Sequence, residues 1–177
     1  MATTVHIPVS EYLRSSYEPD CDYVDGDLEE RYLGEEWHSA VQGAISAIFY
    51  MHRKEWLLRA LPEQRVQVSS TRFRVPDVCV VPSEKPFTGI LTDPPVLCVE
   101  VLSPEDRFQR VVTRAQEYLH MGVPNIWIID PKSRECWVLD ASGGALPMVD
   151  EAFTIPGTPV GLTIADIFEE IDSAPKA

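Results

Sequence analysis

Two apolar runs of this sequence each contain a single acidic residue. The first run, residues 75–82, contains Asp77, and the second, residues 95–102, contains Glu100. Runs as apolar as these are typical of strands that are buried on both faces. A carboxylate in such a strand is costly unless it is paired or binds a metal ion. The sequence therefore predicts a buried sheet with a divalent cation or an ion-pair network at the two acids.

The positions of the two acids favour a metal site. Glu100 lies near the carboxyl end of its predicted strand, where open α/β sheets usually place their sites. Pro76 cannot donate to a strand ladder, which indicates a strand start or a bulge beside Asp77. With the backbone carbonyl of Val101 as a third oxygen ligand, the set suits Mg²⁺ or Mn²⁺. We expect one of these ions as the cofactor, polarising a phosphoryl oxygen and lowering the pKa of a bound water.

The same residues also permit a purely structural interpretation. Asp77 could cap a strand end, and Glu100 could pair with an arginine of the next predicted helix. Arg107, Arg110 and Arg114 lie along one side of that helix, beside its apolar stripe. Spacing alone leaves the metal site and the ion-pair network equally open.

Apolar periodicity along the chain predicts a single α/β domain over residues 1–177, with a core at about 10–168. A composition of 45% hydrophobic residues over 177 positions suits one sizeable core, and no linker divides the chain. We predict a hairpin at Asp25-Gly26 and a helix that starts at Ser103 as N-cap and ends at Gly122. The other predicted helices are 9–15, 36–58 and 164–171, and the predicted strands are 65–69, 73–81, 96–102, 126–129 and 135–139.

Bulk properties restrict the function classes. The net charge of −13 opposes binding of a phosphate backbone unless a local basic patch is present. No apolar stretch approaches the ~20 residues of a membrane helix, and the first residues do not resemble a signal peptide. The 4 cysteines are widely spaced, which predicts free thiols in a reducing cytoplasm and no zinc site.

Several short motifs, taken together, resemble one bacterial family. The resemblance spans about residues 10–168. Each motif alone is weak, and only the combination of motifs is specific. The motifs are Tyr23-Val24-Asp25-Gly26, His38, Pro76-Asp77, Val99 to Pro104, Tyr118, Gly122-Val123-Pro124 and Trp127 to Pro131. In this order they resemble the Uma-type (Uma-two) family of restriction-endonuclease-like proteins in the PD-(D/E)xK superfamily. The resemblance implies a restriction-endonuclease-like α/β fold, with a mixed central sheet flanked by helices.

The resemblance also implies roles for individual residues. It makes Asp77 and Glu100 metal ligands, and it expects a lysine near them. The usual superfamily position, two residues after the glutamate, is Leu102, whereas the Uma-type position, four residues before Tyr118, is Arg114. An arginine can hold a phosphate with its fork of donors. Its pKa above ~12 prevents it from serving as a base.

Other residues have both a functional and a structural interpretation. His38 is either a phosphate contact or proton carrier at the mouth of the site, or only a histidine at a helix start. Arg107 and Arg110 are candidate contacts to a nucleic-acid backbone. Trp127 and Tyr118 are better explained by core packing than by base stacking. The acids Glu29, Glu30, Glu35 and Glu36 either supply a further metal ligand or form a solvated face.

Two functions from different classes follow. The first is a Mg²⁺- or Mn²⁺-dependent endonuclease acting on nucleic acid, through Asp77, Glu100 and Arg114. The second is a catalytically inactive domain of the same fold that serves protein association. Retention of both costly acids favours the enzyme, because a decayed site readily loses a buried charge. The resemblance further implies a homodimer.

Overall fold

The structure, a computed structural model, describes residues 6–31 and 35–175. Its helices are α1 (Val9–Tyr12), α2 (Glu36–Trp56), α3 (Phe108–Met121) and α4 (Ile164–Ser173). Its strands are β1 (Cys21–Val24), β2 (Asp27–Glu30), β3 (Leu58–Pro62), β4 (Val66–Ser69), β5 (Arg72–Arg74), β6 (Val78–Pro82), β7 (Leu97–Val101), β8 (Ile126–Ile129), β9 (Cys136–Leu139), β10 (Ala145–Pro147), β11 (Ala152–Thr154) and β12 (Gly161–Thr163). No helix in these described ranges has the length and apolarity to cross a membrane.

A mixed six-stranded sheet, in the order β10-β9-β8-β7-β6-β3, forms the centre of the molecule. β7 and β8 are parallel, and the other neighbours are antiparallel. The connection between the two parallel strands contains α3, as a parallel crossover requires. The predicted mixed sheet flanked by helices is confirmed.

Helices cover both faces of this sheet. α2 and α4 pack on one face, where Val41, Ile45 and Phe168 join the buried side chains of β7 and β8. α3 packs on the other face through Val111 and Ala115. Glu100 alternates with Val99 and Val101 along β7, so its side chain points toward the α3 face.

A smaller sheet, in the order β2-β1-β5-β4, stands beside the central one. The predicted Asp-Gly hairpin joins β1 to β2, with φ of 52° at Asp25 and 107° at Gly26. Such positive φ angles are what a two-residue hairpin turn requires. Tyr12, Tyr23 and Phe73 form the small core beneath this sheet.

Two predicted elements differ from the structure in ways that shape the site. The expected strand 73–81 is two strands: β5 belongs to the small sheet and β6 to the central sheet. The chain crosses between the sheets at residues 75–77, where Pro76 cannot extend a ladder. Asp77 therefore lies at the junction of the two sheets.

The helix predicted to have Ser103 as its N-cap begins four residues later, with Arg107 as N-cap and Phe108 as its first residue. The Asp106 side chain accepts a hydrogen bond from the Ser103 N–H at 2.9 Å, and the Asp106 N–H donates to the Ser103 carbonyl at 2.9 Å. These typical capping residues close a local turn before the helix. The predicted end of the helix is confirmed, because Gly122 is its C-cap with φ of 104°.

Candidate metal and phosphate site

Asp77 is buried where the two sheets meet, and each of its oxygens has a partner. Oδ2 accepts a hydrogen bond from the Val101 N–H at 2.7 Å. Oδ1 accepts one from Arg31 Nη2 at 2.5 Å and lies 3.4 Å from His38 Nε2. Burial opposes the charged form, but His38 and Arg31 outweigh it and hold the pKa of Asp77 below its ordinary value. Asp77 is therefore a carboxylate in the folded protein.

Glu100 belongs to β7 and lies beside Asp77, with only 1% of its surface exposed. Its Oε1 accepts a hydrogen bond from the Tyr118 hydroxyl at 2.6 Å. Its Oε2 lies 2.7 Å from Arg114 Nη2, yet the two groups are not aligned for a hydrogen bond, so Oε2 has no donor. We therefore regard this contact as an ion pair by proximity.

The pKa of Glu100 reflects this incomplete compensation. Burial raises it, the charge of Arg114 lowers it, and the neighbouring charge of Asp77 raises it further, to about 7. Two buried carboxylates repel each other, and a cation bound between them would stabilise the charged form of both.

Arg114 holds a fixed positive charge at the other side of Glu100. Its side chain is 14% exposed, and Nη1 lies 3.8 Å from Asp22 Oδ2. Burial alone would lower the pKa of Arg114, but Glu100 and the nearby Tyr118 and Asp22 raise it above its ordinary value. The guanidinium thus stays protonated and cannot accept a proton.

Behind these residues, a buried ion-pair network holds the crossing segment. Arg74 donates to Asp22 at 3.0 Å, to Glu29 at 2.7 Å and to Glu117 at 2.7 and 3.0 Å. The other oxygen of Asp22 accepts from the Val75 N–H at 2.9 Å. This network links β1, β2, β5 and α3, and it fixes the backbone two residues before Asp77.

His38 is both a residue at the start of α2 and a member of the site. It is 7% exposed, and its Nδ1 has no hydrogen-bond partner. Contact with Asp77 raises the pKa of His38 above its ordinary value, against the effect of burial. This contact with Asp77 fits a structural ion pair as well as a role in the site, so both interpretations of His38 stay open.

Next to His38 lies a cleft of about 490 Å³. Its walls come from three segments of the chain, at residues 35–38, 102–108 and 130–133. Residues 102–108 follow β7, residues 130–133 follow β8, and residues 35–38 include the start of α2. The cleft therefore opens at the carboxyl ends of the two parallel strands, where α/β proteins usually place their sites.

The remaining predicted contacts lie farther out. Arg107 is exposed immediately before α3, and Arg110 is 46% exposed, with Nη2 3.6 Å from Glu29 Oε2. Both are at the surface, away from the buried carboxylates. Among the four acids of the predicted acidic face, Glu29 pairs with Arg74, and Glu35 lines the cleft.

The two aromatic predictions have different outcomes. Trp127 is core, 2% exposed and stacked on Phe153 with ring centroids 4.5 Å apart. Tyr118 is also buried, but its hydroxyl additionally orients Glu100. Sequence reasoning missed that hydrogen bond, although the spacing that places Tyr118 one helical turn after Arg114 puts both on the same face of α3.

Sequence reasoning also missed Arg31, Asp22 and Arg74. Arg31 and Asp77 are 46 residues apart in sequence, and Arg74 and Asp22 are 52 apart. No local pattern connects such partners. Asp22 alternates with the apolar Cys21 and Tyr23, a pattern that predicts a solvent-facing acid, yet Asp22 is buried.

The donor set fits a small divalent ion. The described residues contain no group of three His, Cys, Asp or Glu side chains placed to bind a metal. Two carboxylates and a backbone carbonyl still form a hard oxygen set, and Glu100 Oε2 is an orphaned buried oxygen beside a second acid. The Val101 N–H bond to Asp77 keeps the Val101 backbone at this carboxylate.

Comparison with known proteins defines the class. The sequence matches the family model of Uma2, described as "Putative restriction endonuclease", over residues 9–163. The chain therefore belongs to the Uma2 family. No curated protein matches it.

The fold has a counterpart among solved structures. The chain is similar to a crystal structure described as a "putative nuclease belonging to DUF820" from Anabaena variabilis ATCC 29413, with a TM-score of 0.77 and 23% sequence identity. The match covers 92% of this chain and 98% of that one. The predicted restriction-endonuclease-like fold is thus confirmed.

Proposed function

We propose that this protein is a divalent-metal-dependent nuclease that hydrolyses phosphodiester bonds of nucleic acid. The observation that carries the proposal is the buried pair of Asp77 and Glu100, in which Glu100 Oε2 has Arg114 Nη2 at 2.7 Å but no aligned hydrogen-bond donor. Membership of a family described as "Putative restriction endonuclease" supports the same chemistry.

In this proposal Asp77, Glu100 and the Val101 carbonyl would hold Mg²⁺ or Mn²⁺. The ion, when bound, would supply a polarised phosphoryl oxygen and a more acidic water. Arg31 lies 2.5 Å from Asp77 Oδ1 and Arg114 lies 2.7 Å from Glu100 Oε2, so both guanidinium groups would have to yield these oxygens to the ion. Tyr118 holds Glu100 in position through Oε1.

The neighbouring cations act on the phosphate. Arg114 stabilises charge that develops on the phosphoryl oxygens, because its guanidinium is fixed and permanently charged. His38, which lines the cleft, would contact a phosphate oxygen when its ring is protonated. Arg107 and Arg110, at the surface, would position the nucleic-acid backbone.

A second candidate function is an inactive domain that serves protein association. The ion pairs of Arg31 with Asp77 and of Arg114 with Glu100 favour it, since each acid already has a guanidinium nitrogen at 2.5 or 2.7 Å. In that case neither acid needs a metal. Metal-dependent cleavage separates the two functions directly.

Cleavage of plasmid DNA, single-stranded DNA and RNA with added Mn²⁺ or Mg²⁺ tests the proposal. We expect metal-dependent cleavage that Asp77→Asn and Glu100→Gln reduce at least about 100-fold, as removal of a transition-state contact does. Asp93→Asn removes an acid 76% exposed and paired with Lys85, and it serves as the matched control. Cleavage that persists unchanged in both site variants would contradict the proposal.

A further inference from the structure

The cleft beside the site contains aromatic surface that the hydrolytic chemistry does not use. Trp37 lines it with 47% of its surface exposed, and its ring stacks on no other aromatic ring of the described residues. Phe108 lines it as well, 37% exposed, and is held by Trp137 with ring centroids 4.5 Å apart. Exposed aromatic faces of this kind are platforms on which nucleobases stack.

The charges of the cleft disfavour a ligand that is held mainly by its phosphates. The acids Glu35, Asp106 and Asp130 line it, whereas Lys132 is its one lysine or arginine among the described residues. The whole chain carries a net charge of −13. Duplex binding depends on many Lys and Arg contacts to phosphates, so affinity here must come from contacts to a base.

The cleft meets the candidate site at His38. This residue lines the cleft and contacts Asp77, and its buried Nδ1 has no partner. A base in the cleft would therefore place its adjacent phosphate on the side of His38, the lining residue that contacts Asp77. The volume of about 490 Å³ is within the range of small-ligand sites.

We propose that this cleft binds an unstacked nucleobase of a single-stranded substrate, with the base stacked on Trp37. The inference rests on the proposed nuclease function and specifies its substrate class. A base in a duplex would first have to leave its stack and its pair, whereas a single strand presents the base already exposed. The protein is therefore a single-strand-preferring nuclease.

Fluorescence anisotropy with labelled oligothymidylate and a labelled duplex of equal length, in EDTA, tests this inference without cleavage. We expect the wild-type chain to bind the single strand more tightly. Trp37→Ala should weaken that binding about tenfold, the scale of one base–aromatic stack, and Trp37→Phe should retain most of it. Tyr50→Ala, which removes an aromatic ring 65% exposed near the other end of α2, is the control and should leave binding unchanged.

The outcomes separate this inference from the nuclease proposal. Equal or tighter duplex binding, or equal effects of Trp37→Ala and Tyr50→Ala, would overturn the base-binding cleft even if metal-dependent cleavage is found. Trp37-dependent single-strand binding by a chain that binds no Mn²⁺ would retain the cleft and overturn the nuclease. Circular dichroism of each variant verifies that it is folded.

Discussion

At the scale of single residues, the candidate site depends on one poorly compensated acid. Glu100 is buried, accepts one hydrogen bond and faces an arginine that is not aligned to donate a second. A structural ion pair normally satisfies both partners, because an unsatisfied buried charge is costly. An oxygen that is ion-paired but has no aligned hydrogen-bond donor distinguishes Glu100 from Asp22, whose two oxygens both accept hydrogen bonds.

Metal affinity should depend on pH through Glu100. Its pKa is raised to about 7, so the group is protonated below that value and ionised above it. A proton and a metal ion compete for the carboxylate. We expect Mn²⁺ affinity to be nearly constant above pH 7 and to fall about tenfold per pH unit below it, as measured by calorimetry.

Glu100→Gln provides the control for this pH dependence. The amide cannot ionise, so Mn²⁺ should bind more weakly at every pH, and the remaining affinity should lose the transition near pH 7. An unchanged transition in this variant would assign the titration to another group.

Arg114 stands where the family resemblance expects a lysine, and its replacement tests what it does. Arg114→Ala leaves the buried Glu100 without its cation, and breaking a buried pair costs about 3–5 kcal/mol. We expect a large loss of stability in urea denaturation and loss of cleavage. Arg114→Lys should retain the fold and, if the lysine activates water, increase the cleavage rate. A stable and active Arg114→Ala protein would contradict the role assigned to this arginine.

At the scale of secondary-structure elements, the crossing from β5 to β6 determines the geometry of the site. This segment carries Asp77 from the small sheet into the central sheet, and Gln42 of α2 donates to the Asp77 carbonyl at 2.9 Å. The Arg74 network fixes the preceding residues. Both sheets and α2 therefore fix the position of Asp77.

Arg74→Met should loosen this crossing. It leaves Asp22 and Glu117 without their main partner, and we expect a loss of about 3 kcal/mol in the free energy of unfolding. Arg134→Met at the exposed pair with Asp172 is the matched control and should change stability by less than about 1 kcal/mol. Equal effects in urea denaturation would show that the network contributes nothing beyond a surface pair.

The sequence predicts some strands, helices and side-chain contacts of this protein and misses others. The apolar runs identified β6, β7 and β8, and a single acid in each of two runs identified Asp77 and Glu100, because burial of a charge is a local and strong signal. Local capping chemistry predicted the helix start at Ser103 wrongly, since a turn used the same donors and acceptors. Partners such as Arg31 come from distant segments, and a single sequence contains no pattern that pairs them.

At the scale of the whole molecule, net charge and assembly determine which substrates can approach. A chain with a charge of −13 repels polyanions except where cations concentrate, and Arg107 and Arg110 are exposed cations at the start of α3. Weak phosphate contacts and a base-binding cleft together favour single strands.

The homodimer implied by the family resemblance remains a prediction. Paired copies would allow two strands or two sites to be cut in one encounter. Static light scattering should give twice the mass of the 19.9 kDa chain. A monomer over the whole accessible concentration range would remove this prediction and leave the single-site chemistry unaffected.

The most direct test of the central claim is anomalous diffraction from crystals soaked in Mn²⁺. We predict a peak about 2.0–2.4 Å from oxygens of Asp77 and Glu100 and from the Val101 carbonyl, with Arg31 displaced from Asp77. A soaked crystal with no peak there, and with Arg31 and Arg114 still on the two acids, would contradict the claim and favour the inactive domain.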